Sequence, residues 1–341
     1  MGRKHSGIPA SFWRKVNGVS PKPGFVEANM TINENCPCKK KKCERHGNCV
    51  ECRKHHAASK RHRPAACERT RKYLLPVFML ILFETVAVVL WLTLDNLFYL
   101  FNFSYIGISV SLGIFLFIRK YPYARRVAQL LVGLYMLLYL GLICQENMQI
   151  EGFWYYLFTG VFEAATIHYA VAKIFGPLLF GRGWCGYACW TAMVLDFLPY
   201  PVPKQPRKNI GWVRYITFAA SLMFVAGLFF AHVGDMERVM FWAFLIGNLL
   251  YYAVGIMLAF LFEDNRAFCK YICPITVFLR PMSYFSLLRI TCDQSKCISC
   301  GKCKRVCPMN VDVTDNSRKR KNGTECILCF ECVRNCPTDA L

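Results

Sequence analysis

The stretch YLLPVFMLILFETVAVVLWLTL, Tyr73 to Leu94, contains a single charged side chain, Glu84. About 20 apolar residues in a helix cross the hydrocarbon core of a bilayer, so this stretch predicts a transmembrane helix and sets the reading of everything around it. Five more apolar segments follow at short intervals: Leu97 to Ile118, Val127 to Cys144, Phe153 to Phe180, Gly211 to Val233 and Val239 to Phe262. About six spans suit a chain of 341 residues that is 55% hydrophobic and 15% aromatic, too apolar for an ordinary soluble domain.

The chain nevertheless carries a formal charge of +21, and apolar and basic segments are kept apart. Eighteen of the 42 Lys and Arg residues precede Tyr73, and nine more lie from Lys296 onward. The loop RKYPYARR (Arg119 to Arg126) has four basic residues and the segment from Gly181 to Arg214 has five, whereas DNLFY and QENMQIEG have none and AHVGDMERV has one. Basic loops stay on the cytoplasmic side, which predicts a multi-pass protein of the prokaryotic plasma (inner) membrane with both termini cytoplasmic. The first residues lack an apolar signal-peptide core. Attraction to anionic membrane lipid accounts for the basic N-terminal region. With no nucleic-acid reader motif in the sequence, no nucleic acid is expected as a partner.

Twenty cysteines in a chain of this size and setting point to metal ligation rather than a disulfide scaffold. CISCGKCKRVCP (Cys297 to Pro308) and CILCFECVRNCP (Cys326 to Pro337) each fit C-x2-C-x2-C-x3-C-P, the signature of a two-cluster ferredoxin in which the fourth cysteine crosses to the other cluster. Cys297, Cys300, Cys303 and Cys336 are thus expected to bind one [4Fe–4S] cluster, and Cys326, Cys329, Cys332 and Cys307 its neighbour. Zinc ribbons, the competing reading, favour separated C-x2-C pairs. The insertion TDNSRKRKNGTE (Thr314 to Glu325) ends in an Asn-Gly turn signal and predicts a surface hairpin.

The x3 spacing recurs in CGYACW (Cys185 to Trp190) and FCKYICP (Phe268 to Pro274). On a helix, this spacing sets both thiols on one face about a turn apart. Cys185, Cys189, Cys269 and Cys273 are therefore read as ligands of a further iron–sulfur centre, as redox dithiols, or as inert packed thiols. Near the N-terminus, Cys36, Cys38, Cys43, Cys49, Cys52 and Cys67, with His46, His55 and His56, form a ligand-rich set suited to zinc or iron–sulfur. Within the apolar segments, Glu84, Glu163, His168 and Lys173 are costly unless paired or facing a cavity. They mark either a quinone pocket or proton path, or simple mutual pairing. No C-x-x-C-H or G-x-G-x-x-G occurs, so covalent haem and dinucleotide binding by that fold are not expected.

With GRGWCGYACW, FCKYICP and the C-terminal array in place, Tyr73 to Leu341 resembles the membrane polyferredoxins of the NapH, NosR and CcoG types. Trp190 departs from that pattern, which has proline after the first pair. The N-terminal stretch resembles a small cysteine-rich domain of unknown function. The resemblance implies a polytopic α-helical membrane protein with a C-terminal α+β ferredoxin-like domain, divided as residues 1–72, 73–290 and 291–341. It implies single-electron relay through two [4Fe–4S] clusters on the cytoplasmic face, coupled to quinone or to a redox partner protein, as a component of an oxidoreductase system rather than a stand-alone enzyme. The alternatives are a metal-handling or metal-reducing assembly factor and a redox sensor.

Overall fold

The computed structural model describes residues 36, 38, 40–58, 65, 73–119, 121–162 and 164–341, and the chain divides into two compact units, Met1–Arg71 and Lys72–Leu341. Cys67 and Glu163 lie outside the described residues, as does the side chain of Cys49. The described part of the first unit holds one helix, α1 (Cys49–Ala58). Asn48 caps it, its Oδ1 accepting from the Glu51 N–H at 3.1 Å.

The second unit opens with α2 (Leu74–Leu94) and α3 (Leu97–Ile118). Asp95 ends α2 in the left-handed conformation, φ 48°, and Asn96 starts α3 by accepting from the Phe98 N–H at 3.0 Å. The two helices pack closely because Gly107 has no side chain: a Cβ there would run into Phe83. Then come α4 (Ala124–Ile143), α5 (Ile150–Thr159) and α6 (Ala165–Phe180), followed by the short α7 (Gly183–Tyr187) and α8 (Trp190–Leu195). The long α9 (Val213–Phe230) and α10 (Met236–Phe262) precede the short α11 (Ala267–Tyr271) and α12 (Thr276–Tyr284). Among the described residues five helices, α2, α3, α4, α9 and α10, are long and apolar enough to cross a membrane. Their outer faces stay apolar, with Leu92, Phe101, Phe230 and Leu249 exposed, as a lipid-facing surface requires.

The expected fourth span, Phe153 to Phe180, is broken. Gly160, at φ 72°, caps α5, and the chain restarts as α6, which is shorter than the five spanning helices. Inside α6, Ala170–Phe175 widens into a π turn, with the Gly176 N–H reaching back to the Val171 carbonyl.

The C-terminal module departs from the α+β expectation, since no strand occurs among the described residues. Its regular elements are α13 (Lys302–Arg305), a 3-10 turn at Gly323–Glu325 and α14 (Glu331–Arg334). The backbone pairs once between the Asp293 N–H and the Ala340 carbonyl (2.7 Å) and once between the Asp312 N–H and the Lys321 carbonyl (3.0 Å). Isolated bonds do not make a ladder, because chain this densely committed to cysteine loops leaves no run long enough to pair. The expected surface hairpin at Thr314 to Glu325 is likewise tied down. Arg318 donates to the carbonyls of Tyr284 and Ser286, and Arg320, buried, to that of Ile290.

Candidate iron–sulfur site

The four C-x3-C pairs share one local structure. Cys185 lies in α7, Cys269 in α11, Cys303 in α13 and Cys332 in α14. In each, the helix closes when the third residue on (Ala188, Ile272, Val306, Asn335) donates its N–H to the carbonyl just before the cysteine (Trp184, Phe268, Lys302, Glu331). The second cysteine of every pair, Cys189, Cys273, Cys307 and Cys336, falls beyond the helix end. The expectation of two thiols on one helical face is thus corrected. Proline follows Cys273, Cys307 and Cys336 and sterically disfavours the α region at each. Cys189 is extended (φ −77°, ψ 119°) without a proline. There Trp190 anchors the chain, its Nε1 donating to Asn248 of α10 at 2.7 Å.

In the C-terminal module, Cys307 lines one cavity together with Cys326, Cys329 and Cys332. Cys336 lines a second with Cys297, Cys300 and Cys303. Each fourth cysteine therefore sits with the three of the opposite half. The Val311 N–H points at Cys307 Sγ and the Ala340 N–H at Cys336 Sγ, both at 3.3 Å. Burial raises the Cys326 thiol and pushes Cys329 up to about 12. Burial acts upward on Cys336 too, but N–H groups from Thr338 and Ala340 bring it below the ordinary thiol value. Sequence reasoning missed Cys292, which is buried against the second cavity. Its backbone N–H and carbonyl are both held by the Asn316 side chain at 2.7 and 2.8 Å.

The structure also brings the other two pairs together. Cys185, Cys189, Cys269 and Cys273 lie near enough that the charge of each bears on the others. Burial raises Cys189 and Cys273 and pushes Cys269 up to about 11. A reactive dithiol needs an accessible thiolate, which these surroundings disfavour.

Two salt-bridge clusters that no motif announced hold these loops. Asp196 receives Arg266 through both oxygens (2.7 and 2.5 Å) and Arg125 at 2.6 Å. Burial acts to raise the Asp196 carboxyl, and the two arginines outweigh it and keep it below its usual value. The same arginines reach the Cys185 and Gly186 carbonyls, and Arg266 Nη1 lies 4.0 Å from Cys269 Sγ. Glu325, next to Cys326 and only 2% exposed, takes Arg182, Arg214 (3.0 Å) and Arg207 (3.1 Å). Arg182 also donates to the Cys269 carbonyl. Lys270, fully buried inside CKYIC, bridges Asp264 (2.6 Å) and Asn310 (2.7 Å) of the C-terminal module.

Around these loops cations outnumber the carboxylates they pair with. Arg125 and Arg266 share Asp196, while Arg182, Arg207, Arg214 and, at 3.7 Å, the more exposed Arg280 share Glu325. Lys270 has Asp264, and Lys173 has none. A largely buried excess of positive charge is costly unless an anionic group completes it. Sets of four sulfurs within that excess fit iron–sulfur clusters, whose thiolate-ligated forms carry net negative charge.

Of the intramembrane residues, Glu84 accepts a hydrogen bond from Ser104 at 2.7 Å. His168 and Lys173 flank Trp184, the imidazole with ring centres 5.2 Å apart and the ammonium 5.1 Å from the ring centre. None of the three lines a large apolar cavity of about 360 Å³. That space lies between α2, α3, the α7 loop and the C-terminal module, with Phe83, Ile114, Trp184, Tyr187 and Phe330 in its wall. Trp184 Nε1 has no hydrogen-bond partner. In the first unit, Cys36, Cys38, Cys43 and Cys52 form no disulfide among the described residues, and His46 Nε2 lies 3.2 Å from the Cys38 carbonyl. Among the described residues, no three His, Cys, Asp or Glu side chains gather as a site for a single metal ion.

Comparison with known proteins agrees with this geometry. A family described as 4Fe-4S dicluster domain matches residues 296–341, and one described as 4Fe-4S binding domain matches 167–208 and 245–290, the segments that hold the two membrane-edge pairs. An uncharacterized protein of Methanocaldococcus jannaschii is 25% identical over 65% of this chain and 86% of its own length. The methylamine utilization ferredoxin-type protein MauN of Methylobacillus flagellatus is 27% identical over 45% of this chain and 58% of its own. The putative electron transport protein YccM of Escherichia coli is 26% identical over 40% and 37%. No solved structure matches the chain. 4Fe–4S ferredoxin-type domain matches together with apolar, membrane-length helices support a membrane polyferredoxin.

Proposed function

We propose that this chain relays single electrons along the cytoplasmic face of a prokaryotic plasma membrane, between a membrane quinone and a redox partner protein. Relatives described as ferredoxin-type and electron transport proteins support the general activity. Cys326, Cys329, Cys332 and Cys307 would hold one [4Fe–4S] cluster and Cys297, Cys300, Cys303 and Cys336 a second. Cys185, Cys189, Cys269 and Cys273 would hold a third. When bound, these clusters supply reversible one-electron chemistry.

One observation carries the reading: the cysteine loops touch in series. Gly186, beside Cys185, packs so tightly on Ile327, beside Cys326, that a Cβ would strike the Ile327 carbonyl oxygen, and Tyr187 donates to the Leu328 carbonyl at 3.3 Å. The crossed cysteines continue the series to the second ferredoxin cavity, where Cys300 is exposed. These contacts support an order running from the four-thiol site, through the Cys307 set, to an edge a partner can reach. Quinone coupling is supported by the apolar cavity beside Trp184, whose size is that of a small-molecule site. Its unpartnered indole N–H suits a carbonyl oxygen.

Iron analysis of the full chain isolated without oxygen tests this. About twelve irons per chain are expected, four for each cluster. Replacing Cys185 and Cys189 by serine should remove about four and leave the paired-cluster paramagnetic signal of the C-terminal module. About eight irons in the unaltered protein would refute the third cluster.

A further inference from the structure

Of the buried cations among the described residues, Lys173 and Arg320 have no carboxylate partner, and Arg320 donates instead to the Ile290 carbonyl. Lys173 is 3% exposed, and its ammonium lies 5.1 Å from the centre of the Trp184 ring. Arg125, Arg266, Arg182, Arg207, Arg214 and Lys270 all have such partners. Three of the four membrane-edge thiols, Cys185, Cys189 and Cys273, lie near enough for their charge to act on the Lys173 ammonium. The backbone is adapted at this point, because Lys173 sits inside the π turn of α6 at Ala170–Phe175. Such turns re-aim side chains and recur at functional sites.

A charged lysine buried in an apolar helix without a counter-ion is costly, and an anionic group beside it would offset that cost. The aromatic face of Trp184 offsets only part of that cost. Four thiolates around a four-iron core supply the missing charge. The dependence is mutual, for a fixed cation beside such a centre favours the more negative, reduced form.

We infer that Lys173 is the counter-charge of the four-thiol centre and sets the ease with which that centre accepts an electron, holding it above the value its ligands alone would give. Lys173 is thus a positioning residue that acts by its charge, and the inference rests on the third-cluster reading above. In the step concerned, the oxidised centre gains one electron from an external mediator and becomes one unit more negative beside the unchanged ammonium.

The test is a mediated potentiometric titration, followed by paramagnetic resonance, of the full chain and its Lys173→Met and Lys173→Arg variants. Lys173→Met should shift the midpoint of the membrane-edge centre negative by at least the equivalent of a tenfold change in its reduction equilibrium, 59 mV for one electron. The ferredoxin pair should stay in place, and Lys173→Arg should retain most of the original midpoint. If Lys173→Met still holds about twelve irons and its midpoint does not move, the inference is wrong while the third cluster stands. Loss of the centre in Lys173→Met but not in Lys173→Arg supports the charge role, and loss in both overturns it. Absence of the centre from the unaltered protein removes the third-cluster reading and this inference together.

Discussion

At the residue scale, the junction between the membrane helices and the ferredoxin loops depends on a few fully buried charges. Glu325 is the clearest: one carboxylate holds Arg182, Arg207 and Arg214 next to a cluster cysteine. Replacing it with glutamine keeps the shape and removes the charge, leaving arginines buried without an anion. Breaking a buried pair in this way costs about 3–5 kcal/mol. Glu325→Gln should therefore lose visible cluster absorbance at markedly lower denaturant or temperature than the unaltered protein, and an unchanged transition would show that the cage contributes no stability. None of this was readable in the sequence, where Glu325 closes a polar insertion and resembles any solvated residue. Cys292 was missed for a similar reason, since it precedes the motif by five positions and only Asn316, far along the chain, holds it at the cavity.

At the element scale, the repeated one-turn helix explains how a single spacing serves two arrangements. Each pair places one cysteine in the turn and the next beyond it, so the two thiols diverge and can face different neighbours. The spacing was visible in the sequence, but the break at each second cysteine was not. Proline signalled it at three sites, and at Cys189 the Trp190–Asn248 hydrogen bond stands in its place. The α7 loop then meets the C-terminal module through Gly186, where backbone approaches backbone. Gly186→Ala should force that contact apart, leaving the iron content unchanged while electron exchange between the membrane-edge centre and the ferredoxin pair slows at least tenfold in rapid-mixing measurements. An unaltered rate would show that electrons do not pass by this contact.

At the scale of the whole molecule, the apolar helices and the uneven basic loops set the protein in a membrane with one electropositive side. Among the described residues five helices are long enough to span, and α6 is shorter because Gly160 stops α5 before a continuous fourth span can form. A fluorescent reporter fused after Leu341 should be active inside the cell, and an alkaline phosphatase fused there should be inactive. The opposite pattern would invert the proposed orientation. The sequence by itself determined the apolar spans, the segregation of charge and the eight-cysteine array, because hydrophobic length and ligand spacing are local properties of a chain. Only the tertiary structure decided that Cys185, Cys189, Cys269 and Cys273 approach one another, that Arg182, Arg207, Arg214 and Arg280 share Glu325, and that α6 carries near those thiols a lysine with no carboxylate partner among the described residues. Those depend on contacts between residues far apart in the chain, such as Arg182 with Glu325 and Lys270 with Asn310. Such contacts become favourable only when burial strips water from both partners, and no spacing rule within one segment encodes that.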